Sequence, residues 1–339
     1  MSKSRIAASK FPLRAIGAAL CALGVAAGPA AQAADPVVLK LGHVVPPKSS
    51  KDLANVRFAE EVAKCTNQTV RVDVFPGGQL GKEADLAQAV ALGTVDLFWG
   101  DAATFSPFVK ELNVFNTPFL FRDVAHWKSV VRGPIGTDLV NRLEAKSPVK
   151  ILGRMQMGDR YILTTKKPVR VPADLEGLKI RVPDVPMYTA SFAALGAKAT
   201  PIAFSEVYVS LQQGVIDGME NPTGLIRGMK FYEVTKYLSK LPWSNAVNFL
   251  VINKNTYNKL NAAQKDCVGK AGAQASEHLD TLIQAEEEDN MKFFVSQGME
   301  IVEVKDTGPW MAKIKDFPKQ YGTNWGTPDL YTRIQNSGK

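Results

Sequence analysis

The run Thr69-Val70-Arg71-Val72-Asp73-Val74-Phe75 alternates polar and apolar side chains, and Pro76-Gly77-Gly78 stops it at once. Alternation with period two is what a strand with one buried face requires, and a Pro-Gly turn cannot continue the ladder. The period changes on either side. Val37 to Val45 reads as a strand, and Ser49 to Cys65 then carries Leu53, Val56, Phe58, Ala59 and Val62 at helical spacing. After the turn, Lys82 to Leu92 reads as a helix closed by Gly93, and Val95 to Trp99 as a short strand. Strands separated by helices imply parallel pairing, so the fold class expected is α/β.

Asp123 to Val131 and Gly136 to Ala145 read as helices and Val149 to Met157 as a strand. Lys166-Lys167-Pro168 and Pro172-Ala173-Asp174 then mark a turn-rich entry into a second lobe. Its strands are expected at Lys179 to Val182 and Lys198 to Pro201, with the helix Met187 to Leu195 between them, stopped by Gly196. Ser244 to Ile252 is apolar enough for a buried strand returning to the first lobe. From Asn261 to Gln297 there is no proline, and Val268, Ala271, Ala275, Leu279 and Leu282 share one face. The segment is either one helix of about 55 Å, at ~1.5 Å per residue, or two helices broken near Gly269 or Gly272. The organisation expected is 35–157 as lobe 1, 158–243 as lobe 2, 244–285 as the return to lobe 1 with the start of the long helix, and 286–339 packed mainly on lobe 2.

The first residues point to export. Lys3, Arg5, Lys10 and Arg14 precede the apolar run Ala15 to Ala27, and Ala31-Gln32-Ala33 offers small residues at a cleavage site, so processing is expected after Ala33, with Ala34 as an alternative. The apolar run is too short to span a bilayer. Removing four leader cations takes the formal charge from +8 to +4, and no Lys/Arg block interleaved with aromatics remains, which argues against nucleic acid as a partner. Cys65 and Cys267 survive processing and face an oxidising compartment, either as a disulfide or as two buried thiols. His43, His126 and His278 are far apart and show no metal-ligand spacing.

Enzyme signatures are missing: there is no Gly-x-Ser-x-Gly, His-Glu-x-x-His or Cys-x-x-Cys. Gly77-Gly78-Gln79-Leu80-Gly81-Lys82 brushes against a phosphate-loop pattern, but Pro76 stands at the first glycine and Glu83 at the hydroxyl position. The run Glu286-Glu287-Glu288-Asp289 reads as a solvated helix face, because consecutive carboxylates on a helix point in different directions. No catalytic residue, metal or cofactor is expected. An acid/base pair such as Asp217 and Glu220 is the competing, enzymatic reading.

Arg181 carries the functional argument. It lies in an apolar strand near the end of Pro172-Ala173-Asp174-Leu175-Glu176-Gly177-Leu178-Lys179-Ile180-Arg181-Val182-Pro183. A guanidinium presents a planar fork that matches a carboxylate with two parallel hydrogen bonds. Alone, an edge-strand arginine is usually solvated. Its neighbours alter that: Gly158-Asp159-Arg160, Phe204-Ser205-Glu206-Val207-Tyr208, Gly214-Val215-Ile216-Asp217-Gly218-Met219-Glu220-Asn221-Pro222 and Phe231-Tyr232-Glu233-Val234 follow in order. Together these runs closely resemble the substrate-binding subunits of tripartite ATP-independent periplasmic (TRAP) transporters of the C4-dicarboxylate-binding type, over nearly the whole mature chain.

The resemblance implies a two-lobed periplasmic binding protein fold, each lobe a mixed sheet flanked by helices, with a long helix bridging both. It implies that Arg181 pairs with a ligand carboxylate, that Arg160 supports it, that Asn221 bonds the same end, and that Phe204 packs on the carbon skeleton. Asp101 and Asp184 are further polar candidates. His43 to Pro47 and Trp243 depart from relatives, Trp243 standing where a histidine is common, so Trp99, Phe204 and Trp243 would suit an apolar or aromatic acid. Implied too are capture without chemistry by a periplasmic monomer and delivery to integral-membrane transporter subunits. A binding protein of an ATP-driven importer is the alternative.

Overall fold

The computed structural model describes residues 35–325 and 329–338, so the expected leader and cleavage site lie outside the described residues. Among the described residues eleven strands form two sheets. The first contains β1 (Val37–Gly42), β2 (Val70–Phe75), β3 (Leu97–Asp101), β4 (Val149–Gln156) and β10 (Val247–Asn253), in the order β2-β1-β3-β10-β4. β1 runs parallel to β2 and β3, whereas β10 inserts antiparallel between β3 and β4. The second sheet contains β5 (Arg160–Thr164), β6 (Lys179–Val182), β7 (Lys198–Pro201), β8 (Gly218–Pro222), β9 (Tyr237–Ser244) and β11 (Glu300–Glu303), in the order β11-β9-β5-β8-β6-β7. The chain therefore crosses from one sheet to the other at 157–159 and returns at 245–246. This is the two-lobed α/β architecture expected, each lobe built on a mixed sheet.

Local chemistry explains the elements nearest the cleft. Helix α1 (Ser50–Cys65) starts where the Ser49 hydroxyl accepts a hydrogen bond from Asp52 N, and it buries Phe58 and Val62 against the first sheet. Helix α2 (Glu83–Leu92) ends at Gly93, whose φ of 80° places it in the left-handed region that glycine enters without steric cost. The long helix is unbroken from Ala262 to Ser296, 35 residues or about 52 Å at ~1.5 Å per residue. Its first half packs on α1 and β4 and its second half reaches the short helix Thr223–Gly228 and β11, so it braces both lobes. Gly272 does not break it. A Cβ there would lie 2.4 Å from Leu152 O, so glycine lets the helix approach β4 closely. Cys65 and Cys267 form a disulfide that ties α1 to the long helix.

Four strands escape the sequence reading: β5, β8, β9 and β11. β8 reads Gly-Met-Glu-Asn-Pro, a turn composition, yet all five residues are buried because β5 and β6 flank it on both edges. Its proline stands last, where a missing N–H breaks no further ladder. The acidic run also needs correction. Glu288 and Asp289 are exposed, but Glu286 accepts from Lys51 Nζ at 3.0 Å and Ser50 Oγ at 2.9 Å, and Glu287 accepts from Thr223 Oγ1 at 2.7 Å. Half of the run is an anchor for α1 and for Thr223–Gly228 rather than a solvated face.

Candidate functional site

A cavity of about 640 Å³ opens between the lobes. One wall is made by Val44, the Gly77–Gly81 turn and the start of α2; the other by the ends of β6 and β7, with Arg181, Asp184 and Phe204. Parallel strands β6 and β7 present their C-terminal ends to this cleft, the side of an α/β sheet where ligands bind.

Two arginines stand behind it, and their hydrogen bonding separates them. Arg160, on β5, is committed within the protein: Nε and Nη2 both donate to the Glu220 carboxylate on β8, Nη2 at 2.7 Å, and Nη2 also reaches Asn221 Oδ1 at 3.4 Å. The Tyr188 ring covers the guanidinium, 5.2 Å away. Burial works against the Arg160 cation, but the charge of Glu220 overrides it and holds the pKa above the ordinary arginine value. Arg181 is also buried, at 3% exposure, yet its only hydrogen bond among the described residues runs from Nε to Ile202 O at 2.9 Å. Neither terminal nitrogen has a hydrogen-bond partner among the described residues. Burial first, then the neighbouring Arg160 cation, push its pKa down to about 10 against the pull of Glu220, so the group is still charged at neutral pH. The Phe204 ring lies 5.7 Å from it.

Asn221 is buried, its Oδ1 receives the Arg160 contact, and its Nδ2 has no acceptor. Its amide is thereby oriented, with the donor end free. Asp184 is exposed on the cavity wall. Asp101 caps the 3-10 turn that follows β3, accepting from Ala103 N at 2.8 Å and from Asn116 Nδ2, and it receives the Tyr188 hydroxyl from the other lobe at 3.3 Å. Burial pushes its pKa up, and those hydrogen bonds offset part of the shift.

The remaining candidates stand back from the cavity. His43 is fully buried, with Nε2 3.1 Å from Asp52 Oδ1 and its ring edge-on to Trp99. Trp99 donates to Met155 Sδ and belongs to the first lobe's core. Trp243 packs edge-on against Tyr188 and Phe192, one layer behind Arg160. None of the three is among the residues lining the cleft cavity, and neither are Arg160, Asn221 and Asp101; of the predicted residues Arg181, Asp184 and Phe204 line it.

Sequence reasoning missed Glu83, Tyr188 and the pairing role of Glu220. Glu83 opens α2 and lines the cavity, with Oε1 accepting from Asp101 N at 2.8 Å. Burial first, then the Asp101 carboxylate, push its pKa up to about 7, with the two arginines pulling it down. The available signal was an acid at the first helical turn after a glycine turn, which the failed phosphate-loop comparison treated only as a mismatch.

Residues 41–323 match the model of the bacterial extracellular solute-binding proteins, family 7. The chain belongs to this family. Its fold and its membership make it a solute-binding protein, not an enzyme. A solute-binding protein of Roseobacter denitrificans is 36% identical over 306 residues, covering 90% of this chain and 92% of the relative. A crystal structure of a TRAP periplasmic solute-binding protein from that organism, with bound L-galactonate, has a TM-score of 0.78 at 35% identity, over 83% of this chain and 93% of the other. The TRAP protein of a Polaromonas species bound to D-erythronate gives 0.85 at 29% identity, over 89% and 99%. That of Sulfurospirillum deleyianum with bound succinate gives 0.83 at 28%, over 88% and 98%. The family 7 protein described here thus has relatives holding hydroxylated monocarboxylates and a plain C4-dicarboxylate on one scaffold.

Proposed function

We propose that this family 7 protein captures a small hydroxylated carboxylate in the periplasm and delivers it to the membrane subunits of a TRAP transporter. One observation carries the reading: Arg181 keeps its two terminal nitrogens free on the wall of the interlobe cavity, while Arg160 beside it is saturated by Glu220. In this reading the ligand carboxylate docks bidentately on Arg181 and accepts a further bond from Asn221 Nδ2. Arg160 holds Asn221 and adds charge, and Phe204 packs on the ligand carbons. Residues 35–157 and 158–243 act as the two closing bodies, the crossings at 157–159 and 245–246 as the hinge, and closure strips water from the clamp. The protein works as a monomer.

The far side of the cavity favours hydroxyls. Glu83 offers an acceptor there, Asp184 offers another on the wall that carries Arg181, and Lys82 is already paired with Glu206 at 3.0 Å. A second carboxylate would meet like charge. The C4-dicarboxylate-binding type is the second reading, favoured by the succinate-bound structure and by 33% identity over 257 residues to the C4-dicarboxylate-binding protein of Rhodobacter capsulatus.

Calorimetry with L-galactonate, D-erythronate and succinate separates the readings, hydroxy acids being expected to bind more tightly. Arg181→Lys keeps the charge and loses the fork, so binding weakens at least about tenfold. Unchanged affinity in that variant overturns the clamp.

A further inference from the structure

A second cavity, of about 370 Å³, sits at the hinge and shares no lining residue with the cleft. Asp159 and Gly158 enter it from the first crossing, Asn245 from the second, and Asp280 and Glu287 from the long helix. Its three carboxylates are treated differently. Asp280 is satisfied: Arg132 Nη1 lies at 2.7 Å, Lys128 Nζ at 2.9 Å and Gln156 Nε2 at 2.9 Å, and these partners hold its carboxyl below the usual range despite burial. Asp159 and Glu287 have no cationic partner among the described residues. Each keeps one oxygen bonded, Asp159 Oδ1 to Asn245 Nδ2 at 3.3 Å and Glu287 Oε2 to Thr223 Oγ1 at 2.7 Å.

What is left over are acceptors. Glu287 Oε1 is buried without a partner, and so is Oδ1 of Asn245, a residue 6% exposed. The second oxygen of Asp159 has no hydrogen bond among the described residues. Burial first and then the Glu287 charge push the Asp159 carboxyl up to about 6, and the Tyr161 phenol is raised by burial, by the Glu287 and Asp159 charges and by a hydrogen bond to Glu287. The only cation lining the cavity, Lys128, is engaged by Asp280. A bridging water could satisfy two acceptors but would leave two negative charges facing each other in a poorly solvated space.

We propose that this hinge cavity binds a hard divalent cation of the calcium class through Asp159, Glu287 and the carbonyl oxygen of Asn245. Two carboxylates and an amide oxygen are the donor set that hard cations take, and calcium accepts an irregular shell completed by water. The ligands come from both crossings and the bracing helix, so the ion ties together the segments about which the lobes turn.

The test is thermal unfolding of chelator-treated protein in calcium, magnesium or sodium chloride at matched ionic strength. A saturable rise in Tm of about 4 °C is expected with calcium at a hundredfold excess over Kd. Glu287→Gln and Asp159→Asn should abolish the shift, while Glu288→Gln, on the exposed part of the same helix, should keep it. Both hinge variants remove like-charge repulsion, so without metal they should be at least as stable as the wild type. No shift with calcium, a shift with sodium alone, or an equal shift in both hinge variants overturns the proposal.

Discussion

Arg160 and Glu220 form a buried ion pair between adjacent strands, with Arg160 Nη2 2.7 Å from Glu220 Oε1 and the Glu220 side chain withdrawn from solvent completely. Removing one partner leaves a charge in a site that cannot solvate it. Glu220→Ala is therefore expected to cost about 3–5 kcal/mol, read from urea unfolding. An exposed pair such as Lys270 with Asp266 should cost less than about 1 kcal/mol when broken the same way.

If the ligand docks on Arg181 as proposed, Glu83 should make its affinity depend on pH. Its carboxyl, raised to about 7, is largely neutral at pH 6 and charged at pH 8, where it opposes an anionic ligand beside Arg181. Affinity should fall roughly three- to tenfold across that interval, and Glu83→Gln should flatten the profile. The sign for stability is the same: a folded-state pKa raised above the unfolded value of about 4.3 gives stability that is full below that value and is lost as pH rises through about 7. Calorimetry and thermal scans from pH 5 to 8.5 on both proteins check it.

The disulfide joins residues 202 apart in sequence, so it restrains a very long loop in the unfolded chain. The entropic model puts its contribution at up to about 5 kcal/mol. Urea unfolding with and without reductant should show a loss of this order, and denatured protein lacking the leader, and with it Cys21, should react with thiol reagents only after reduction.

Two glycines on the long helix should respond in opposite directions. A Cβ at Gly269 meets no atom within 4 Å, so Gly269→Ala should stabilise by about 0.5–1 kcal/mol. At Gly272 a Cβ would collide with the Leu152 backbone, so Gly272→Ala should destabilise by about 1–3 kcal/mol. Thermal unfolding of the two variants decides it.

How much of this was legible depended on the range of the signal. The β2 alternation, the helical spacing in α1 and the proline-free run from Asn261 are local patterns, and the α/β class follows from their order. β8 was hidden because its residues resemble a turn, and only strands on both sides make them a strand. Arg181 was marked as a candidate by its neighbouring motifs. Which arginine is free was not, because that depends on Glu220, distant from Arg160 in sequence, closing on Arg160 and not on Arg181.

The Cys65–Cys267 pairing and the inward turn of Glu286 and Glu287 were decided in the same way, by contacts between distant segments. The amino-acid order by itself determined the secondary-structure alternation, the unbroken helix potential of residues 261–297 and the family. Tertiary structure decided which buried charges are paired within the protein and which are not. Period and propensity act over a few residues, whereas the state of a buried charge is set by whatever the fold brings within about 4 Å of it.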